Sequence, residues 1–480
     1  MIPLASLRPA AFVCVTLSSI TNLAGAQARR GYVESGVLAI TNVNVIPMTQ
    51  DTVIPGQTVL VRDGRIAEVG REVTIPANAR RVDGTGRYLI PGLADMHTHL
   101  FSDDELPDSL AGAELRIMIA NGVTTARLMI GTREHLALRA AVAQSRLLGP
   151  QLWVASPQLT GREFPNAIVV TNEEQARRAV DSAATAGYDA VKITLFITPT
   201  VYDGIIDQAR RRGIPVVGHV DPQVGLARAL PTGQQLEHLD SYFEAVLRDD
   251  SPIKTSLTQQ FVFQLRNWAS LDYMSDRKID SIAGATARAG AWIDPTLNVF
   301  NKAFAAYESD SVIRSRPDWE MLPPKWRDGY MSFRPRYWSD TARTERTEVR
   351  RRRYVEVRNR LVKAITDSGG KVMAGSDTPE WFHLYGFGLH RELQALVEAG
   401  LTPWQALRSA TRYPAEYLKQ QGEWGTIENG RRADFVLLAA NPLTDIRNTT
   451  RIDGVSVGGR WLARADLDRL LAEGKAALTR

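Results

Sequence analysis

Two textures of apolar patterning divide this chain. Residues 37–40, 43–46, 58–62 and 65–70 are short runs of alternating apolar and polar positions, crowded together with little helical periodicity between them. Asp63-Gly64 separates the last two, a strong signal for a tight hairpin. The far end of the chain returns to the same texture at 425–430, 433–438 and 455–461. Between these ends, apolar runs at 93–99, 122–128, 151–155, 190–194, 215–220, 235–238, 292–296 and 371–377 alternate with helical patterns. That alternation is what a parallel α/β barrel of eight strands requires, and it predicts an α/β fold.

Length supports one large domain with a satellite, since 480 residues exceed what a single small core organises. Apolar content of 44% and charged content of 23% are ordinary for a globular chain. The net charge of +5 is spread, and its densest run, Arg350 to Arg353, has Glu345, Glu348 and Glu356 nearby. A salt-bridged helix face accounts for it, and no nucleic-acid partner is expected. Residues 1–26 read as a secretory signal peptide: Arg8, an apolar stretch at 10–20, then Ala24-Gly25-Ala26 as the cleavage site. The stretch is too short and too broken by Ser and Thr to span a membrane. Cys14, the only cysteine, falls inside it, so the mature chain from Gln27 has neither disulfides nor a thiolate ligand or nucleophile. A secreted or periplasmic bacterial enzyme, off the membrane after cleavage, is the expectation.

The chemistry begins at Pro91-Gly92-Leu93-Ala94-Asp95-Met96-His97-Thr98-His99. Residues two apart on a strand face the same side, so His97 and His99 can present imidazoles to one point. Imidazole suits zinc, nickel and iron. Three further histidine or acid positions fall at strand ends: His219 in Val217-Gly218-His219 and His238 in Leu236-Glu237-His238, on successive strands, and Asp377 in Gly375-Ser376-Asp377 on the last. Lys192 ends an apolar run in Ala190-Val191-Lys192, an awkward place for an unpaired charge.

The first-strand motif and this series resemble the amidohydrolase superfamily, over nearly the whole mature chain apart from residues 301–360. The resemblance implies a (β/α)8 TIM barrel over 91–415 and a small β-sandwich built from both termini, 27–90 and 416–480. It implies two divalent metal ions, expected to be zinc, held by His97, His99, Lys192, His219, His238 and Asp377. Lys192 matches the lysine that is carboxylated in binuclear members, where a carbamate replaces a repelling ammonium by an anionic two-oxygen bridge. Asp377 is then also the general base towards a hydroxide bridging the metals.

The set is most similar to the carboxylysine branch that includes Xaa-Pro dipeptidase-like and imidazolonepropionase-related enzymes. Hydrolysis of an amide or peptide bond in a small molecule, a dipeptide or an N-acyl amino acid, is the implied activity. An esterase, lactonase or phosphotriesterase on the same binuclear site is the alternative, as is a mononuclear deaminase or cyclic-amide hydrolase, which Lys192 argues against. Arg127, Arg162, Tyr242 and His383 are the candidate substrate contacts, and a homo-oligomer is compatible with the chain. His135 reads as structural, and His390 as structural or as a support behind the site residues. The insertion at 301–360, dense in aromatics such as Trp319, Trp326, Tyr330 and Trp338, is either a satellite core or a lid over the pocket.

Overall fold

The computed structural model describes residues 36–101, 110–164, 166–252, 265–305, 308–337 and 345–480. Residues 1–26, expected to be a signal peptide, and Trp338 lie outside the described residues.

The strand-rich N-terminal part gives β1 (Val37–Val45), β2 (Ile54–Arg62), β3 (Arg65–Gly70), β4 (Arg80–Asp83) and β5 (Tyr88–Pro91). The pattern suggests two strands at 37–46, but the chain makes one. Asn42, at φ 53°, absorbs an irregularity between Ile40 and Val43 in the pairing with β2. Asp63 and Gly64 both take positive φ, 46° and 74°, as a two-residue hairpin matched to strand twist demands. β16 (Phe435–Leu438), β17 (Ile452–Val457) and β18 (Arg460–Ala463) complete an eight-stranded sheet in the order β18-β17-β16-β5-β1-β2-β3, with β4 on β1. β16 pairs antiparallel with β5, which ties the two chain ends together. Leu38, Ile40, Val59, Val61, Leu89, Phe435 and Trp461 form its own apolar core. Residues 425–430 are not a strand: Ile427 and Gly430 donate singly to Pro47 and Ile66 instead of forming a ladder.

The rest is a TIM-barrel-like α/β domain. β6 (Leu93–Thr98), β7 (Val123–Leu128) and β8 (Gln151–Val154) form a parallel three-stranded sheet. β9 (Gln158–Thr160), β10 (Ala167–Val169), β11 (Val191–Ile193), β12 (Val216–Gly218), β13 (Gln235–Glu237), β14 (Trp292–Asp294) and β15 (Lys371–Val372) form a parallel seven-stranded one, ordered β10-β9-β11-β12-β13-β14-β15. β9 and β10 carry no strong pattern and are not anticipated by it. Two parallel bridges lie between the edges of these sheets, Ala155 with Ala190 and Thr98 with Thr378. The main core packs these strands against the surrounding helices. Among the described residues no helix is long and apolar enough to cross a membrane.

The arginine run lies on the helix Glu345–Asp367 and is paired as a solvated face should be: Arg350 with Asp272, Arg351 with Glu348, Arg353 with Glu356. One acid is less comfortable. Glu244, on the short helix Tyr242–Val246, is half-buried with its carboxylate enclosed, and neither carboxylate oxygen has a hydrogen-bond partner in another described residue. Burial, with Asp240 beside it, pushes its pKa from 4.5 up to about 7. A pKa raised on folding means that the native state keeps a proton the unfolded chain releases. The stabilisation from that proton is complete below the ordinary carboxylate range and is lost as pH rises through about 7. Glu244→Gln should therefore raise stability at pH 8 by about 1–3 kcal/mol and change little at pH 5. Thermal unfolding at the two pH values checks this, and an equal shift at both would refute it.

Candidate metal centre

His97 lies on β6, whose residues are all buried, and His99 follows just past its end on the same side. His219 follows β12, His238 follows β13, and Asp377 lies beyond β15. His238 and Asp377 take left-handed φ of 59° and 51°, which ends the strand alternation and turns each side chain towards the centre. Gly375 permits the close approach of these strands, since a Cβ there would meet an Asp294 oxygen at 2.3 Å and the His97 Cβ at 2.5 Å.

Three rings are fixed through Nδ1. His97 Nδ1 lies 2.7 Å from Glu237 Oε2, His219 Nδ1 2.7 Å from Asp240 Oδ2, and His238 Nδ1 2.7 Å from Thr296 Oγ1. An Nδ1–H donated to a carboxylate leaves the Nε2 lone pair for a ligand. The rings converge, with centroids 5.2 Å apart for His97 and His99, and 4.7 Å for His238 with either His97 or His219. Nε2 of His97 and of His99 each lie 3.3 Å from Asp377 Oδ1. His97, His238 and Asp377 present ligand atoms all within 4.8 Å of one another. Lys192, in the middle of β11 and 1% exposed, enters the same space.

Charge follows burial here. Burial pulls His97 and His238 well below the usual imidazole range, so both are held neutral, the form that ligates a cation. For Asp377 burial pulls upward, but His97, His99 and Lys192 outweigh it and hold the carboxyl below its ordinary value. Burial lowers the Lys192 ammonium, opposed by Glu237 and Asp377. The donor set, four imidazoles with a carboxylate and a buried lysine, fits divalent metals.

All six residues line one cavity of about 410 Å³. Its walls are Phe164, Leu195, Val299, Phe300 and Trp381, with Gln158, Thr160, Thr194 and Glu380 as polar members. The proposed substrate contacts fare differently. Arg162 lies near the mouth, its guanidinium 3.6 Å over the Phe196 ring and 5.1 Å from that of Phe164. Arg127, Tyr242 and His383 do not line this cavity. Arg127 turns into the strand interior, bonding Met96 O at 2.6 Å and Glu237 Oε1 at 2.9 Å. The Tyr242 hydroxyl meets Thr286 at 2.9 Å in a fully buried setting. His383 is enclosed between Asn298, Arg316 and Arg391, because the chain after Trp381 folds inward to an ionic cluster on Asp318. His135 takes part in the Thr132 helix cap, and His390 contacts Asn121 O and Thr449, both structural roles.

Four supporting residues lie outside the anticipated set: Glu237, Asp240, Thr296 and Asp95. Asp95 accepts from the Ser376 amide at 2.9 Å and hydroxyl at 2.6 Å, tying β6 to the segment that presents Asp377. Its place in Asp95-x-His97-x-His99 is the signal: it shares the inward face of the strand.

The aromatic insertion stands behind the cavity wall. Tyr330 stacks on Trp381 at 5.8 Å, and Trp326 packs on Phe101 at 4.8 Å. Trp319 is 6% exposed against Phe382. Trp381, at φ 50° and ψ 54°, needs such support to hold a left-handed backbone. Tyr330→Ala should shift substrate ranking or raise KM several-fold through Trp381, with a stability loss of about 2–4 kcal/mol. Kinetics on two substrates of different size check it, and an unchanged KM ratio would count against the buttress.

Residues 88–462 match the model of the amidohydrolase family. The chain belongs to that family. It is a hydrolase of this class, similar over 88% of its length to an imidazolonepropionase from Acidiphilium cryptum (strain JF-5), at 24% identity across 94% of that protein. A dihydroorotase from Anaeromyxobacter sp. (strain K) is 35% identical over 77 residues, but this stretch spans only 18% of the dihydroorotase and 16% of this chain. Among solved structures, a bottromycin amidohydrolase superposes with TM-score 0.71 at 24% identity, covering 96% of this chain and 94% of the other. A Xaa-Pro dipeptidase with methionine bound in its active site gives 0.63 at 18%, covering 89% and 100%. These amidohydrolase-family likenesses bear on the fold.

Proposed function

We propose that this chain is an exported, binuclear amidohydrolase that cleaves an amide or peptide bond in a small molecule, of the dipeptide or N-acyl amino acid class. The observation that carries the reading is the convergence of His97, His99, Lys192, His219, His238 and Asp377 on one cavity. We read the eight strands β6, β7, β8 and β11 to β15 as a closed (β/α)8 barrel, for which the bridges Ala155–Ala190 and Thr98–Thr378 are the support. Functional groups then gather at the C-terminal ends of the strands, as in other barrels of this kind.

The six residues would hold two divalent cations, with Lys192 carboxylated between them. Metals so held supply an activated water and polarise a carbonyl. The chain's own residues do the rest. Asp377, whose carboxyl is held below its ordinary value, takes a proton and returns it to the leaving nitrogen. Glu237, Asp240 and Thr296 keep three imidazoles in one tautomer and orientation. Phe300, Leu195 and Trp381 exclude water around an acyl group, while Gln158 and Thr160 offer hydrogen bonds to an amide.

The names of the neighbours support the substrate class: both structural neighbours cited act on peptide-type bonds by their names. Assay of the purified chain, loaded with zinc, against dipeptides, N-acyl amino acids, lactones and phosphotriesters tests the reading. Turnover of an amide above all the esters is expected, and preferential turnover of a lactone or phosphotriester would overturn it. Mass spectrometry of secreted material should give an N-terminus at Gln27.

A further inference from the structure

A second cavity, of about 570 Å³, opens at the opposite end of the strands. Its wall includes Ala190, Pro215, Gly233 and Gly290, which lie just before β11, β12, β13 and β14. The proposed hydrolysis makes no use of this cavity. Trp153, Trp292 and Tyr417 give it flat aromatic walls, and the exposed cations Arg210 and Lys419 stand on its rim. Arg127 reaches it from the interior, 98% buried by its 2% exposure. Nη1 of Arg127 and the hydroxyl of Tyr417 are both enclosed, and the two side chains interact with each other at the inner end of the cavity. The one acid in the wall, Asp189, is already engaged by Arg139 and by the Val154 amide at 2.8 Å. An enclosed guanidinium beside a phenol, ringed by cations and aromatic faces, complements a flat organic anion.

The same arginine leads to the metal centre. Its guanidinium lies 5.5 Å from the Tyr417 ring centroid, its Nη2 donates to Glu237 Oε1 at 2.9 Å, and Glu237 Oε2 meets His97 Nδ1 at 2.7 Å. All members of this column beyond Tyr417 are 2% exposed or less. We propose that the lower cavity binds a small aromatic carboxylate and that its occupancy is felt at His97 through Arg127 and Glu237. An anion that draws Arg127 downward leaves more of the Glu237 charge to the His97 N–H, making Nε2 the better donor. The binding itself is independent of the hydrolase reading, whereas the coupling rests on His97 holding a metal.

Benzoate is the probe and benzamide its uncharged counterpart. Titrated calorimetrically into metal-free protein, benzoate should bind saturably and benzamide should not. Lys419→Glu with Arg210→Glu, both exposed substitutions, should weaken benzoate about tenfold or more. Saturating benzoate should tighten zinc about fivefold in a chelator competition, and zinc should tighten benzoate by the same factor. No saturable binding, equal binding of benzamide, or indifference to the rim reversals would overturn the site. Benzoate binding with unchanged zinc affinity would overturn the coupling.

Discussion

Lys192→Ala should lose most of its bound metal and at least about a hundredfold in turnover, while the protein still folds. The side chain is 1% exposed and stands in the middle of β11, facing the same cavity as four imidazoles and Asp377. As an ammonium it would meet each unit of metal charge with about 4 kcal/mol of repulsion at 4 Å, even at an effective dielectric near 20. Burial already disfavours the charged amine. Reaction of the neutral amine with CO2, with release of a proton, would replace that cation by an anionic carbamate suited to holding divalent cations. Alanine would remove that ligand and, in the metal-free protein, a buried amine, while the strand core of Val191, Val216, Leu236 and Ile293 is untouched. Loss of metal without loss of fold is therefore the signature. Metal content per chain and thermal unfolding of the metal-free protein read the two separately. Partial recovery of activity with added acetate or propionate would place a carboxylate in the vacated bridge. Two metals per chain and near-normal turnover in Lys192→Ala would refute the carboxylysine reading and return the mononuclear alternative.

The six positions that meet at the cavity were legible because strand ends leave a strong mark. Alternation puts His97 and His99 on one side, and an apolar run that stops at a histidine or lysine marks where β11, β12 and β13 open to the cavity. The hairpin at Asp63-Gly64 was legible for a related reason, a backbone demand that few residue pairs meet. Arg127, Tyr242 and His383 misled because polar residues near strand ends can point to either side of the wall. Arg127 turns inward to Glu237, Tyr242 reaches Thr286 on the helix Asp276–Arg288, and His383 follows two residues of positive φ that no periodicity announces. The supporting acids were hidden by adjacency. Glu237 precedes His238, and strict alternation would send the two to opposite sides. The left-handed turn at His238 instead places one in the interior column and the other on the cavity.

That column makes Glu237 the most consequential residue among those that never reach the cavity. Its two oxygens join His97 Nδ1 to the Arg127 guanidinium, with His97, Glu237 and Arg127 all at 2% exposure or less. Glu237→Ala would leave Arg127 as a buried cation without its counter-ion, at about 3–5 kcal/mol of stability. Glu237→Gln separates structure from chemistry. The amide oxygen still accepts from Arg127, but the amide N–H now faces His97 and asks Nδ1 to accept. The proton then moves to Nε2, the atom needed as a ligand. Zinc affinity should fall about 10–100-fold while unfolding stability falls by no more than about 1–2 kcal/mol. Chelator competition measures the first, denaturant unfolding of the metal-free protein the second, and imidazole nitrogen NMR the tautomer. Glu237→Gln with wild-type zinc affinity and an unchanged His97 tautomer would show that Glu237 only fills space beside the ring.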